Sequence, residues 1–365
     1  MGFNCGIIGL PNVGKSTIFN AMTAAGIAAE NYPFCTIEPN VGIVPVPDLR
    51  LDKLAALYAT QKIIPTTIEF VDIAGLVKGA SKGEGLGNQF LGHIREVDAV
   101  AHVVRCFEDT NVVHVDGSVD PKRDIEVVEM ELIIKDIDTL QRKMKETEGR
   151  ARSGDKKVKD EFDVYVRLSE HFNSGRLAKY MGYDDEQQRD FVRSLHLLTD
   201  KPVMYIANVD EASVKGGNKY VDAVREIASR EGARVVVVSG KIEAELSQLP
   251  ADEREAFLSD LSLKESGLER VIHEGYSLLN LVTFFTAGPK EVHAWTVQAN
   301  TCAPKASGRI HSDFEKGFIR MEVIRYEELM RLGSEQAVKD AGLLHVEGKD
   351  YVVQDGDIVV VRFSV

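Results

Sequence analysis

Residues 9–17 read Gly9-Leu10-Pro11-Asn12-Val13-Gly14-Lys15-Ser16-Thr17 and directly follow the apolar run Phe3 to Ile8. Their spacing, G-x-x-x-x-G-K-S, is the pattern of a phosphate-binding loop that joins a strand to a helix. In such a loop, backbone N–H groups turn towards the phosphates, and the lysine adds a positive charge at the β and γ oxygens. The segment therefore predicts a nucleotide-binding site in which Lys15 also takes part in catalysis. The predicted contacts are Asn12, Val13, Gly14, Lys15, Ser16 and Thr17.

Three side chains with hydroxyl or carboxylate oxygens are spaced to hold a magnesium ion next to the phosphates. Ser16 begins the predicted helix, and Asp72 ends an apolar run in the sequence Asp72-Ile73-Ala74-Gly75. Thr36 lies in the interval between them, where a switch loop supplies a second hydroxyl to the metal. We predict a Mg²⁺ site formed by Ser16, Thr36 and Asp72, with the backbone N–H of Gly75 at the γ-phosphate.

The residue after the D-x-A-G run departs from the usual pattern of GTPases. A glutamine at this position orients the attacking water, whereas this chain has Leu76. Because a leucine side chain cannot hydrogen-bond water, hydrolysis is either slow or assisted by another residue.

The segment expected to recognise the base also departs from the usual N-K-x-D pattern. It reads Asn208-Val209-Asp210-Glu211, with valine in place of the lysine and glutamate in place of the aspartate that accepts the guanine N–H groups. Both changes weaken selectivity for guanine and favour ATP, although glutamate remains an acceptor and leaves GTP tolerance open. The predicted contacts on this side are Asn208, Val209, Glu211 and Ser239.

Composition excludes several classes of protein. The four cysteines include no C-x-x-C pair, which argues against a disulfide framework or a zinc site and favours a reducing compartment. No apolar run reaches the roughly 18 residues of a membrane span, and the chain begins with a strand instead of a signal peptide. We therefore expect a cytoplasmic protein without a membrane partner. The net charge of −13 disfavours indiscriminate binding to polyanions.

Apolar runs alternate with helical patterns, which predicts an α/β fold with a parallel sheet covered by helices. The six runs are residues 3–8, 40–44, 66–71, 99–105, 202–207 and 234–238. We assign residues 1–120 and 200–279 to this P-loop domain and residues 280–365 to a C-terminal α+β module. In that module we predict strands at 281–287, 293–298, 318–324, 351–353 and 357–363, and one helix at 326–340.

Residues 121–199 predict an inserted coiled-coil hairpin. Apolar residues repeat at heptad spacing from Met130 to Met144, and a second stripe runs from Val158 to Phe172. Between Arg142 and Lys159, at the expected tip of the hairpin, eight basic residues stand against three acidic ones. A charged run on a helix is usually a solvated face, but at the end of a projecting arm it is also a candidate RNA contact.

Four segments closely resemble the YchF-type Obg-like ATPases, and the resemblance extends over essentially the whole chain. These segments are residues 9–17, Asn31 to Asn40, Asp72 to Asn88 and His311 to Phe318. The resemblance implies a translation-factor-class P-loop domain with a coiled-coil arm and a TGS domain of β-grasp type. It also implies a preference for ATP and a hydrophobic residue in place of the catalytic glutamine. The implied partner is the ribosome, either its large subunit or a 70S-type particle.

The same resemblance points to two further residues. His114 matches a catalytic candidate in the loop after the fourth strand, whereas by itself a lone histidine there is more often structural or solvated. Asn12 matches an asparagine that helps to coordinate K⁺ in related potassium-dependent P-loop enzymes.

Three functions are compatible with these observations. The first is a Mg²⁺-dependent ATPase whose hydrolysis switches its affinity for the ribosome. The second is a nucleotide-gated ribosome-binding adaptor in which hydrolysis is incidental, and the third is a genuine GTPase.

Overall fold

The chain divides into two compact units, which comprise residues 1–43 with 69–275 and residues 44–68 with 276–365. The computed structural model describes residues 3–27, 40–73, 92–110, 112, 114, 117–152 and 155–364. Three predicted or discussed site residues lie outside the described residues, namely Thr36, Gly75 and Leu76.

The strands are β1 Asn4–Ile8, β2 Val41–Pro45, β3 Ile63–Ile64, β4 Thr67–Asp72, β5 Ala99–Arg105, β6 Val203–Asn208, β7 Arg234–Val238, β8 Leu281–Ala287, β9 Val292–Gln298, β10 Phe318–Arg325, β11 His345–Glu347 and β12 Asp357–Phe363. The α-helices, numbered in chain order, are α1 Lys15–Ile27, α2 Leu49–Tyr58, α3 Pro121–Ala151, α4 Lys156–Asn173, α5 Glu186–Arg193, α6 Lys219–Glu231, α7 Gly240–Leu246, α8 Ala251–Asp260, α9 Gly267–Leu278, α10 Ala303–Ile310, α11 Ser312–Lys316, α12 Tyr326–Leu332 and α13 Glu335–Asp340.

The first unit is built on a sheet with the strand order β2-β4-β1-β5-β6-β7. β1 pairs in parallel with β4 and β5, and β6 pairs in parallel with β5 and β7. All six predicted apolar runs are strands of this sheet, so the predicted parallel α/β architecture is confirmed. All seven residues of β5 are buried, as expected for a central strand covered on both faces. The carboxyl ends of β1, β5 and β6 meet at one edge of the sheet, where such folds bind ligands.

The second unit has a mixed sheet with the order β11-β10-β12-β8-β9-β3. Its first long strand, β8, is antiparallel to β9 and lies beside β12 in parallel orientation. This arrangement of the hairpin and the last strand agrees with the predicted β-grasp type. Phe284 and Met321 on one face of the sheet pack with Ala303 of α10, whereas Phe285 on the other face packs with Leu54 of α2.

Residues 44–68 differ from the predicted domain boundaries, because they belong to the second unit and not to the P-loop domain. The two-residue strand β3 pairs with β9, and the Arg50 guanidinium binds the Asp355 carboxylate at 2.6 Å. A strand of two residues is too short to show a hydrophobic period. The apolar residues of α2 predict a buried face, but they do not indicate which of the two units that face packs against. The sequence therefore does not indicate that residues 44–68 belong to the second unit.

Two predicted elements of the second unit are wrong in detail. The helix predicted at 326–340 is two helices, because Gly333 adopts φ +78° and Ser334 caps a new helix with its hydroxyl. The strand predicted at 351–353 is reduced to an isolated bridge between Val352 and Cys302.

The described helices include none that has both the length and the apolar character needed to cross a membrane. Cys5, Cys106 and Cys302 are free thiols, and Cys35 lies outside the described residues.

The predicted insertion contains a helical hairpin made of α3 and α4. Ile133 and Leu140 of α3 share a buried cluster with Tyr165 and Phe172 of α4. Met130, which we predicted in the seam, is instead 49% exposed. The reason is length: α3 has 31 residues and α4 has 18, so the partner helix ends before it reaches Met130.

A buried carboxylate fastens the hairpin to the segment that leads back to the sheet. Asp136 of α3 is fully buried and accepts hydrogen bonds from the backbone N–H of Leu198 at 2.9 Å and of Thr199 at 2.8 Å. The Thr199 hydroxyl donates a third bond at 2.7 Å. Burial raises the pKa of Asp136, while these three donors act in the opposite direction by stabilising the charged form.

Replacing this carboxylate should destabilise the first unit. We expect Asp136→Ala to lower the free energy of unfolding by about 2–4 kcal/mol, because two backbone N–H groups and one hydroxyl lose their acceptor. Urea-induced unfolding measures the effect. Asp138→Ala is the matched control, since its side chain is 51% exposed. Equal stability of the two variants would contradict an anchoring role.

Candidate functional site

The loop that follows β1 has the backbone that its sequence predicts. Asn12 adopts φ +62° and Gly14 adopts φ +92°, both in the left-handed region, and α1 begins at the next residue, Lys15. A Cβ atom at Gly14 would lie 2.1 Å from Nδ2 of Asn208. Gly14 is therefore required twice, for its backbone angle and for the close approach of the asparagine.

The loop encloses a cavity of about 580 Å³ at the N-terminus of α1. Lys15 is 8% exposed, and its ammonium group forms an ion pair with the carboxylate of Asp72 at the end of β4. The structure thus brings together most of the residues predicted for phosphate and metal binding. The lining consists of Leu10, Pro11, Asn12, Gly14, Lys15, Ser16, Thr17, Asn40 and Asp72.

Val13 contacts Asn208 through its main chain and not through its side chain. Its side chain is 1% exposed and is buried below the loop, while its carbonyl accepts a hydrogen bond from Asn208. Asn40 was not predicted as a site residue. Its carbonyl accepts a hydrogen bond from the backbone N–H of Asp72 at 2.8 Å, which fixes the end of β4.

The side chains at this cavity suit a magnesium ion that is shared with a nucleotide. The Ser16 hydroxyl and the Asp72 carboxylate are hard oxygen donors, which Mg²⁺ prefers. The described part of the chain holds no group of three or more His, Cys, Asp or Glu side chains able to form a metal cage. The remaining ligands of such an ion would therefore be phosphate oxygens and water, as is usual for Mg²⁺ at nucleotide sites.

The side chain of Asn208 holds the phosphate-binding loop by a hydrogen bond. Its side chain is buried, with Nδ2 donating to the carbonyl of Val13 at 2.8 Å and Oδ1 accepting from the N–H of Gly240 at 2.9 Å. The orientation of the amide follows from these two partners. The Asn208 side chain thus connects the phosphate-binding loop to the turn between β7 and α7.

The other base-side residues occupy different environments. Val209 is 3% exposed and packs in the hydrophobic cluster between the sheet and α6. Ser239 is buried and caps α7 by accepting from the N–H of Ile242. Glu211 is exposed, and its carboxylate contacts the ammonium group of Lys241 at 2.5 Å. This carboxylate raises the pKa of Lys241, a residue that the sequence analysis missed.

His114 lies outside the lining of the phosphate-binding cavity. Its ring is buried, and Nε2 is 2.9 Å from Oδ2 of Asp124 in the first turn of α3. It lines a second cavity of about 730 Å³ together with Arg105 and Tyr220, among others. The described conformation therefore does not bring His114 together with Lys15. Its partner Asp124 was also missed, because the sequence does not indicate that His114 contacts the first turn of α3.

Comparisons with known proteins cover the whole chain. Residues 4–147 match a family described as "50S ribosome-binding GTPase", and residues 281–364 match the YchF-GTPase C-terminal family, described as "Protein of unknown function (DUF933)". The sequence is 54% identical over 365 residues to the Ribosome-binding ATPase YchF of Haemophilus influenzae, covering 100% of both chains. It is 52% identical over 367 residues to the protein of the same name in Bacillus subtilis, again covering 100% of both.

The fold is similar to that of the Schizosaccharomyces pombe YchF GTPase, with a TM-score of 0.90 and 35% sequence identity. That similarity covers 99% of this chain and 98% of the other. Since both the sequence and the fold match from end to end, the chain belongs to the YchF family.

Proposed function

We propose that this protein is a Mg²⁺-dependent cytoplasmic ATPase that binds ATP in preference to GTP and associates with the ribosome as a regulatory switch. The observation that carries the proposal is the phosphate-binding cavity, which the ion pair of Lys15 and Asp72 lines. Full-length relatives that are named ribosome-binding ATPases support the same assignment.

Lys15 and Asp72 carry the opposite charges that Mg²⁺-ATP needs. We assign the ammonium group of Lys15 to the β and γ phosphate oxygens, and Ser16, Thr36 and Asp72 to the metal. When bound, the metal neutralises charge that develops on the phosphate oxygens. The backbone N–H groups at the start of α1 and of Gly75 complete the phosphate contacts. Asn12, which lines the cavity, is the proposed K⁺ ligand.

Glu211 and Lys241 form the proposed polar edge of the base site. A glutamate held by a lysine is a poor match for the two N–H donors of guanine, which an aspartate accepts in the N-K-x-D pattern. This pairing supports a preference for ATP, with Asn208 and Ser239 acting through the loop and turn that they hold.

His114 is the proposed catalytic residue in place of the glutamine. An imidazole can accept a hydrogen bond from the attacking water and orient it. Because Nε2 contacts Asp124, we propose that His114 leaves this partner when it acts. The same contact favours the adaptor as the alternative function, since a histidine that stays on Asp124 leaves hydrolysis slow.

The tip of the helical hairpin is the proposed RNA contact. Its basic side chains are largely exposed, and Arg152 forms an ion pair with Glu148 on the same helix at 2.5 Å. A basic patch on a protein of net charge −13 gives a defined place for phosphate contacts. We also assign residues 280–365 to a TGS domain, as the resemblance implies.

The phosphate site can be tested by removing the lysine charge. We expect Lys15→Ala to weaken Mg²⁺-ATP binding by at least about tenfold, because a charge-assisted bond to phosphate contributes roughly 1.5–3 kcal/mol. Titration calorimetry measures the affinity, and circular dichroism checks the fold. Lys62→Ala, at a side chain that is 63% exposed, serves as the control. Parent-like affinity and turnover in Lys15→Ala would show that the site is misassigned.

Base selectivity can be tested at Glu211. We expect Glu211→Asp to shift the ratio of ATP and GTP dissociation constants towards GTP by about tenfold, because the shorter carboxylate leaves Lys241 and suits guanine. Competition between the two nucleotides gives this ratio. Glu226→Asp, at a 73% exposed side chain, is the matched control. Val209 is left unchanged, since a lysine there would bury its ammonium group in the core. An unaltered ratio would assign selectivity to other contacts.

The role of His114 can be tested by single-turnover hydrolysis of bound ATP. We expect His114→Ala to slow hydrolysis by a factor of about 10² or more, with ATP affinity nearly unchanged. Asp124→Asn keeps the imidazole but removes its charged partner, so it should hydrolyse at least as fast as the parent. Ribosomes should accelerate the parent by orders of magnitude. A parent-like rate in His114→Ala would exclude the histidine from catalysis, whereas an unchanged slow rate of the parent with ribosomes would favour the adaptor.

The hairpin tip can be tested by co-sedimentation with ribosomes at several salt concentrations. We expect replacement of Arg150, Arg152, Lys156 and Lys157 by Ser to weaken binding and flatten its salt dependence, with ribosome-free ATPase activity unchanged. The control variant replaces four exposed lysines elsewhere, Lys62, Lys215, Lys219 and Lys349, and so changes the net charge equally. Identical behaviour of the two variants would show that the tip is an ordinary solvated charged face and not an RNA contact.

A further inference from the structure

Two glutamates from different helices meet beside the sheet of the first unit. Glu129 lies about two turns after the start of α3, and Glu231 is the last residue of α6. Oε2 of Glu231 accepts hydrogen bonds from the hydroxyl of Tyr205 at 2.9 Å and from the ammonium group of Lys179 at 3.1 Å. The carboxyl group of Glu129 is hydrogen-bonded to the same Glu231 side chain. Polar groups of α3, α6, β6 and the 3₁₀ turn Ala178–Tyr180 thus converge at one place.

This cluster is largely shielded from water. Tyr205 is 1% exposed, and the side chains of Glu231 and Lys179 are 10% and 16% exposed. Glu129, Lys179 and Tyr205 also line a small cavity of about 20 Å³ together with His102 of β5. Burial lowers the pKa of His102 to about 4, so this histidine is neutral at pH 7. Because little water screens the charges of the cluster, they interact strongly with one another.

The charges of the cluster do not balance when both glutamates are ionised. The titratable groups that face Glu129 are Glu231, Lys179, Tyr180, Tyr205 and His102. Within this described set, Lys179 alone carries a positive charge at neutral pH. An ionised carboxylate can only accept a hydrogen bond, so the bond between the two glutamates requires a proton on one of them. Glu231 already accepts from a hydroxyl and an ammonium group, and the proton therefore belongs on Glu129.

The surroundings of both glutamates disfavour a second negative charge. Glu231 ends α6, and a carboxylate at the C-terminus of a helix is opposed by the helix dipole. Burial, and then the neighbouring Glu231 carboxylate, raises the pKa of Glu129 to about 8, whereas Lys179 acts in the opposite direction. Glu129 therefore keeps its proton at neutral pH and loses it in alkaline solution.

We propose that Glu129 and Glu231 share one proton and that this proton fastens the root of the hairpin, residues 121–135 of α3, to α6. With the proton bound, the two carboxyl groups form a hydrogen bond between the helices. Without it, two carboxylates face one ammonium group and repel each other, so the root separates from α6 while Asp136 still holds the helix further along. The described lining of the phosphate-binding cavity includes none of these residues, so this pH-sensitive joint is separate from the nucleotide site.

Proton binding at this joint makes the first unit less stable as the pH rises. Between about pH 4.3, the ordinary pKa of glutamate, and about pH 8, the folded chain holds a proton that the unfolded chain has lost. The unfolding equilibrium constant therefore increases by up to about tenfold for each pH unit in this window and levels off above it. The stabilisation by the proton is complete at the acid end of the window and absent at the alkaline end.

Urea-induced unfolding of the parent and of Glu129→Gln, followed by circular dichroism, tests the shared proton. The glutamine amide donates a hydrogen bond to Glu231 at every pH and does not ionise. We expect the ratio of the unfolding constants, parent over variant, to increase about 10- to 100-fold from about pH 6 to about pH 8. Glu126→Gln, at an exposed position of the same helix, is the matched control, and its ratio should stay constant. Glu231→Gln leaves one carboxylate for one ammonium group and should also remove this pH dependence.

Hydrogen–deuterium exchange at residues 121–135 tests whether the proton fastens the root. We expect these amides to exchange about tenfold faster in the parent than in Glu129→Gln at about pH 8.5, and equally fast in both at about pH 6. Because the two proteins are compared at the same pH, the intrinsic pH dependence of exchange cancels.

The possible outcomes are distinct. A constant ratio for Glu129→Gln, or an equal change for Glu126→Gln, overturns the shared proton. Equal exchange of the root in parent and variant at alkaline pH overturns its role in holding the hairpin. If Glu129→Gln does not fold, Glu231→Gln carries the same comparisons. These measurements use neither nucleotide nor ribosomes, so failure of the proposed function leaves their result unaffected.

Discussion

The site depends on the two hydrogen bonds of the Asn208 amide. One holds the carbonyl of Val13 and the other holds the N–H of Gly240, so a single buried side chain fixes the phosphate-binding loop against the turn after β7. The absence of a Cβ atom at Gly14 makes this approach possible. Hydrophobic packing has no preferred direction, so it leaves the exact position of the loop undetermined. The two hydrogen bonds have preferred distances and angles and therefore define that position more narrowly. The shape of the nucleotide cavity thus follows from one asparagine and one glycine.

Buried polar groups have a common role elsewhere in the first unit. Asp136 binds the backbone of Leu198 and Thr199, and Arg105 binds three carbonyls of the loop after β5. Each of these charged groups loses hydration on burial and regains bonds only in one arrangement of the backbone. Apolar residues of equal volume would fill the same space without requiring one particular arrangement of the backbone. We infer that these groups specify where the hairpin and the loop lie, while the apolar clusters supply most of the stability.

The sequence predicted what depends on local pattern. The motif from Gly9 to Thr17 determines both a backbone conformation and a ligand, and the apolar runs identify the strands because parallel strands are buried on both faces. It could not predict that residues 44–68 join the second unit, since β3 is too short to have a period. It also placed Met130 in the hairpin seam, because heptad spacing does not reveal where the partner helix ends. The partners of His114 and Glu211, namely Asp124 and Lys241, required the tertiary structure, because nothing in the sequence marks them as neighbours.

The proposed base site departs from the N-K-x-D pattern of GTPases at two positions that lie in different physical environments. The valine at position 209 belongs to the core and contributes 3% of its surface to solvent, so it replaces a lysine stem by packing and not by a new contact with the base. Glu211, in contrast, is exposed and paired with Lys241. If both positions act on nucleotide preference as proposed, we expect two separable components, one set by the packing of the core and one by a solvent-exposed charge pair. Because salt screens exposed charges strongly and buried contacts weakly, the component due to Glu211 should diminish as ionic strength rises, and the component due to the core should persist.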